Sequence, residues 1–92
     1  MRFPKWALAE SQNKAKYLLS LAAMEIGPTA TMSDLAHAAK IPYPTMLWAY
    51  NNRVSAAVAE KVCNAVPGLK IKPHWLTNPE WIETDEVSGE II

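Results

Sequence analysis

The sequence predicts an all-α domain of four to five short helices, and three observations support this class. Apolar side chains recur at helical spacing in several segments. The helix-breaking pairs Gly27-Pro28 and Pro67-Gly68 separate those segments. Ser and Thr residues stand where helix N-caps are needed, and a single stretch of four residues alternates like a strand.

The first helical segment extends from about residue 4 to residue 23, which is rich in Ala, Leu, Lys and Gln. Its core-facing stripe is predicted to be Ala15, Leu18, Leu19, Ala22 and Ile26. Ser11 is able to cap a second start, so the segment is either one helix or two.

Two further helices follow. Thr31 and Asp34 predict a capping box, with Asp in place of the usual Glu. This helix should end near Lys40, because the next residue precedes a proline and is pushed out of the helical region. A helix is then predicted from about Tyr43 to Asn51, with Met46, Ala49 and Tyr50 on its inner face.

The remaining elements are shorter. Ser55 predicts the N-cap of a helix whose apolar stripe is Val58, Val62, Ala65 and Val66. Residues 69–72 alternate like a short strand, although four residues do not settle their structure. Pro79 can open one last helical turn that carries Trp81, and we expect the chain to fray beyond Glu83.

Composition and charge limit the class of protein. Half of the 92 residues are apolar, which permits one small core without disulfide bonds. Cys63 is the one cysteine, so a reducing cytoplasm is the expected location. The apolar runs are short and broken by charge or proline, so we expect no membrane span.

The net charge of zero hides an uneven distribution. Residues 1–79 hold nine basic and four acidic side chains, a balance of +5, whereas residues 80–92 hold five acids and no base, a balance of −5. A mildly basic body is compatible with nucleic-acid binding and also with an ordinary solvated surface. We expect a domain over residues 1–82 and an acidic flexible tail over residues 83–92.

The two middle helices have the spacing of a helix-turn-helix, with apolar residues at offsets 0, 1, 6 and 11. These residues are Leu35, Ala36, Ile41 and Met46. The small side chain of Ala36 allows a close helix crossing, Ile41 fills the turn and Met46 seats the second helix. The second helix should therefore stand out from the body of the domain.

This pattern resembles the lambda-repressor-like, Cro-type helix-turn-helix of phage regulators. Ner-type phage regulators are also similar, through "PTMLWAYNNR" and the closing stretch "IKPHWL". The resemblance spans about residues 15–82 and is strongest over 33–66. It implies a lambda-repressor-like fold and a sequence-specific DNA-binding transcriptional repressor. It also implies a homodimer on a two-fold double-stranded DNA operator, with the helix at about 43–51 in the major groove.

Carried over position by position, the resemblance assigns two groups of contacts. Base-facing residues would be Tyr43, Pro44, Leu47, Trp48 and Asn51. Phosphate contacts would come from Lys40, Thr45, Asn52 and Arg53, with further attraction from Lys14, Lys16 and Lys61, and would make binding depend steeply on salt. The apolar members of the first group suit thymine methyl groups, and the helix carries no Arg or Gln for bidentate base contacts.

The sequence departs from the family pattern at three positions. Lys40 replaces the usual turn glycine, so a left-handed conformation would cost about 1 kcal/mol. Pro42 replaces the usual Ser or Thr cap, so a hydroxyl is lost. The family's Trp falls at Ala49, and Trp48 comes one residue earlier, about 100° round the helix toward its outer face.

Other interpretations stay open. In a rotated register Leu47 and Trp48 would be core residues, and on the surface they would contact DNA, a protein partner or a second copy. The alternative function is a protein-interaction module that uses the apolar face of the same helix to bind a regulator, toxin or host protein. Trp75 and Trp81 would either cover the helices or form a dimer seam.

We expect no enzymatic activity, cofactor, metal or small-molecule substrate. His37, Cys63 and His74 match no zinc-ligand spacing, and Cys63 reads as a buried small hydrophobic residue. The chain has three glycines and no glycine-rich phosphate loop.

Overall fold

The computed structural model describes residues 2–85 and 87–91, and it confirms the all-α class. This part of the chain contains six α-helices and two 3₁₀ turns, Pro67–Leu69 and Pro79–Trp81. The α-helices are α1 (Lys5–Leu8), α2 (Ser11–Ile26), α3 (Met32–Ala39), α4 (Tyr43–Asn51), α5 (Ala56–Ala65) and α6 (Pro73–Thr77). None of these helices is long and apolar enough to cross a membrane.

The first predicted segment forms two helices, which decides between the alternatives stated above. The break lies at Glu10, whose backbone is extended with φ −143° and ψ 149°. Ser11 is the first residue of α2, so the expectation that it caps a helix is wrong. The helix continues to Ile26, where the Gly27 N–H donates to the Ala23 carbonyl at 3.2 Å.

The core is organised around α2, which packs against α1, α3, α4 and α6. Four residues of the predicted stripe are buried, whereas Ile26, the fifth, lies at the exposed end of the helix. The largest fully buried side chains come from almost every part of the chain: Phe3, Leu18, Leu19, Leu35, Met46, Val54, Val62 and Leu76. The short helices are therefore held mainly by packing against one central helix.

Residues 69–72, whose alternation left their structure open, do not form a strand. Pro67 opens a 3₁₀ turn, and Lys70 then adopts the left-handed conformation with φ 57°. A residue in that region of backbone space interrupts an extended strand. Ile71 turns inward and is buried, which explains the alternating pattern without a strand.

The C-terminal segment differs from the frayed chain expected beyond Glu83. Its residues lie along the N-terminal segment, where the Phe3 N–H donates to the Gly89 carbonyl at 2.7 Å. Isolated antiparallel bridges join Arg2 to Glu90 and Thr84 to Ile91. The division of the chain at residue 82 and the flexibility of the segment stay predictions.

A turn at Asp85 makes this contact possible. The Asp85 carboxylate accepts the N–H groups of Val87 at 2.8 Å and Ser88 at 3.0 Å. The hydrogen bonds from Ser88 and Val87 hold the pKa of Asp85 below its usual value. Gly89 has φ 76°, and a side chain there would collide with the Phe3 carbonyl, so this position requires glycine.

Candidate nucleic-acid interface

The predicted capping box fixes the start of α3. The Thr31 hydroxyl accepts the Asp34 N–H at 3.5 Å, and the Asp34 carboxylate accepts the Thr31 N–H at 2.8 Å. Both bonds satisfy N–H groups that a helix leaves without partners. The acidic side chain also lies at the positive end of the helix dipole.

The turn between α3 and α4 is a Schellman motif. The Ile41 N–H donates to the Ala36 carbonyl at 2.8 Å, and the Lys40 N–H donates to the His37 carbonyl at 3.2 Å. Lys40 has φ 59° and ψ 44°, the left-handed conformation that the sequence predicts at a non-glycine residue. A left-handed conformation at a residue with a side chain costs about 1 kcal/mol.

The α4 helix begins without a side-chain cap, as expected from Pro42 at its N-cap position. Its inner face is fixed by Met46, which is completely buried, and by Ala49. At its other end, the Gln12 amide of α2 donates to the Ala49 and Tyr50 carbonyls at 3.4 and 3.3 Å. These contacts leave the helix a single orientation about its own axis.

The four corner residues of the predicted helix-turn-helix spacing are all buried between the helices. Ala36 and Met46 are at most 2% exposed, and Leu35 and Ile41 lie beside them in the same core. The prediction of a close crossing at a small residue is thereby supported at the level of packing. The corner presents the opposite side of α4 to solvent.

The outer face of α4 is mostly apolar and exposed. Tyr43 is 47% exposed, Leu47 39% and Trp48 61%, and Pro44 and Thr45 are also exposed. The interpretation of Leu47 and Trp48 as core residues is therefore wrong. The physical reason is the register, because Met46 and Ala49 already occupy the side that faces α2 and α3.

The polar residues at the end of α4 bond to the helix itself. The Asn51 amide donates to the Leu47 carbonyl at 3.1 Å, and the Asn52 amide donates to the Trp48 carbonyl at 3.1 Å. The Trp48 carbonyl also accepts the backbone N–H of Asn52 at 2.9 Å, so the side-chain bond is a second bond to the same oxygen. The sequence places both residues near the expected interface but does not reveal these contacts.

Arg53 reaches away from α4 toward the C-terminal part of the domain. Its guanidinium donates to the Asn78 side-chain oxygen at 3.3 Å and lies 3.9 Å from the Glu80 carboxylate. Trp48, Arg53 and Asn78 line one groove of about 450 Å³ at the C-terminal end of α4. Because the ion pair is exposed, Glu80 offsets part of the positive charge of Arg53 but holds its side chain only weakly.

The other predicted cations divide into two groups. Lys40 and Lys61 line the same small groove beside the α3–α4 turn, and both are exposed. Lys16 lies over the Tyr50 ring, 5.6 Å from its centroid. Lys14 donates to the Ile82 carbonyl at 2.9 Å and so connects α2 to the C-terminal part of the domain. The two residues are far apart in the sequence, which therefore does not predict this contact.

The remaining candidates lie outside this face. Trp81 is 66% exposed, so it does not cover the helices, which was one of its two expected roles. Trp75 is half-buried against the core. Cys63 is half-buried rather than fully buried, and burial raises the pKa of its thiol. His37 and His74 are both exposed.

Comparison with known proteins identifies no relative of this chain. No family model, no curated protein and no solved structure matches the chain.

Proposed function

We propose that this protein is a sequence-specific DNA-binding regulator of transcription that lays α4 in the major groove, as a Cro-like phage repressor would. The observation that carries the proposal is the α3–α4 corner, which is buried on its inner side and presents a row of exposed side chains on its outer side. The major groove accommodates one α-helix with its side chains.

Basic groups on both sides of the row support the same reading. Lys40 and Lys61 lie beside the turn that precedes α4, and Arg53 lies two residues beyond its last residue. Phosphate contacts from both ends of a helix would fix its register in the groove, while the row between them meets the bases.

The proposed function also includes an oligomeric state and a location in the cell. A single corner reads one half-site, so we propose a homodimer on a two-fold operator with half-sites about 34 Å apart. Trp81, exposed outside the α3–α4 corner, is the candidate seam. The proposed site of action is the cytoplasm.

A second candidate function rests on a specific observation. The exposed row contains Tyr43, Leu47 and Trp48, the residue types that supply contact area in protein interfaces, and Arg53 is paired with an acid. In this alternative α4 binds a protein partner, and the modest positive charge plays no part.

Selection of binding sites from random duplexes, followed by titration at several salt concentrations, tests the first function. We expect a two-fold consensus and an affinity that falls steeply as salt rises. Lys40→Ala should lower the slope of log affinity against log salt by about one. Lys5→Ala, which removes an exposed lysine of α1, is the matched control and should leave the slope unchanged.

Absence of duplex binding at low salt would overturn this function. Burial of Trp48 on addition of a purified protein partner, measured by its fluorescence, would then support the second.

A further inference from the structure

We propose that the outer face of α4 reads the 5-methyl groups of thymine, so that the preferred duplexes are defined by where methyl groups lie in the major groove. This inference rests on the proposed function and deepens it. It names the chemical feature of the DNA to which the exposed row is suited.

The geometry of the helix sets which side chains meet the groove. At about 100° per residue, Pro44 and Asn51 lie opposite the buried Met46 and Ala49. Leu47 and Trp48 flank them on either side, and Tyr43 lies at the edge of the outer face. Leu47 and Pro44 carry no hydrogen-bonding group in their side chains. Trp48 offers one indole N–H and Tyr43 one hydroxyl, and the rest of their exposed surface is apolar.

The one amide on this face is already engaged. The Asn51 side chain donates to the Leu47 carbonyl at 3.1 Å. A bidentate contact with adenine needs both the amide oxygen and an amide N–H directed into the groove. The bond to the Leu47 carbonyl occupies one of the two amide N–H groups and restricts rotation of the side chain, so a bidentate contact would have to use the amide oxygen and the remaining N–H in that restricted orientation.

The apolar row therefore has one complementary feature in the major groove. Guanine, cytosine and adenine present hydrogen-bond donors and acceptors there, whereas thymine adds a methyl group. Burying that methyl against Leu47, Pro44 or the Trp48 ring removes apolar surface from water on both partners. A base without the methyl would leave those side chains against polar edges.

The test uses a duplex obtained by the binding-site selection and a series in which each thymine is replaced singly by uracil. This replacement removes the methyl and preserves the base pairing. We expect about fourfold weaker binding at each contacted position, the equivalent of about 0.8 kcal/mol for one buried carbon group. Uracil outside the bound region should have no effect.

Variants of the helix connect the effect to named residues. Leu47→Ala and Trp48→Ala should each lose the uracil penalty at particular positions while retaining the penalty at others. Both side chains are exposed, so the variants should fold, as circular dichroism would verify. Val87→Ala, at a 97% exposed position of the C-terminal segment, is the control and should keep every penalty.

The outcomes separate this inference from the function beneath it. Tight binding of the selected duplex with equal affinity for every uracil duplex would overturn methyl reading and leave DNA binding intact. Failure to bind any duplex at low salt would overturn both. A protein partner that buries Trp48 would then account for the apolar row.

Discussion

The two faces of α4 lie on the same nine-residue helix but meet different requirements. Met46 and Ala49 are at most 2% exposed and pack toward α2 and α3, whereas Leu47 is 39% and Trp48 61% exposed. Apolar side chains on the inner face stabilise the fold. Apolar side chains on the outer face contribute little to it, so they are available for the contact proposed above. The difference teaches that stability and recognition can be altered separately in this protein.

The largest expected effect comes from the inner face. Met46→Ala should lower the free energy of unfolding by about 2–5 kcal/mol, because it removes a fully buried side chain and leaves a cavity. Urea denaturation measures the change. Leu47→Ala, one residue further, should cost less than about 1 kcal/mol because the side chain is partly exposed. Equal losses in the two variants would remove the distinction between the faces.

A substitution at Lys40, in the turn between α3 and α4, should change stability and DNA binding in opposite directions. Lys40→Gly should raise the free energy of unfolding by about 1 kcal/mol, because glycine adopts the left-handed conformation without strain. The same change should weaken duplex binding, because a positive charge is lost. Lys70→Gly is the matched control at the second left-handed lysine. It should show the gain in stability alone, and a parallel loss of binding would count against a special role for the turn.

A smaller effect is expected at the end of the outer face. Glu80→Gln removes the carboxylate 3.9 Å from Arg53, so duplex binding should tighten at low salt and the difference should shrink as salt rises. Stability should change by less than about 1 kcal/mol, because the ion pair is exposed. Unchanged binding at all salt concentrations would show that Arg53 does not contact phosphate.

The smallest expected effect is a dependence of stability on pH that arises from Cys63, a half-buried residue of α5. Burial raises the pKa of Cys63 in the folded state, so the folded protein retains the thiol proton at pH values where the unfolded chain has lost it. Stability should therefore decline as pH rises above about 8.5 through the folded-state pKa. Urea midpoints across this range measure the decline. It should be smaller in Cys63→Ala, and an identical decline in that variant would assign it to other groups.

Local signals in the sequence accounted for the corner of the domain. The Thr31–Asp34 box and the Ser55 cap, which accepts the Val58 N–H at 3.3 Å, each involve residues three apart, and Pro42 restricts the residue directly before it. The left-handed conformation of Lys40 was implied by the resemblance, because the similar family has a glycine at this turn position. The interpretation of Leu47 and Trp48 as core residues is excluded by the burial of Met46 on the opposite side, whereas contact with DNA and contact with a protein both stay predictions.

The spacing of apolar and capping residues does not predict contacts between residues that are far apart in the sequence. The pair formed by Arg53 and Glu80 and the tether from Lys14 to Ile82 depend on how the closing turns pack. The helix α6 has five residues, too few for an apolar period to be visible. The turn at Asp85 had a local signal in its Asp, Ser and Gly residues, but its docking against Phe3 had none.

The pairing of Arg2 with Glu90 brings the two ends of the described chain side by side. A short linker from residue 91 to residue 2 would therefore close the backbone into a ring without disturbing the helices. New ends opened in the exposed loop at Pro28 and Thr29 would give a circular permutant with the same core. In such a permutant the α3–α4 corner would follow directly after the new N-terminus.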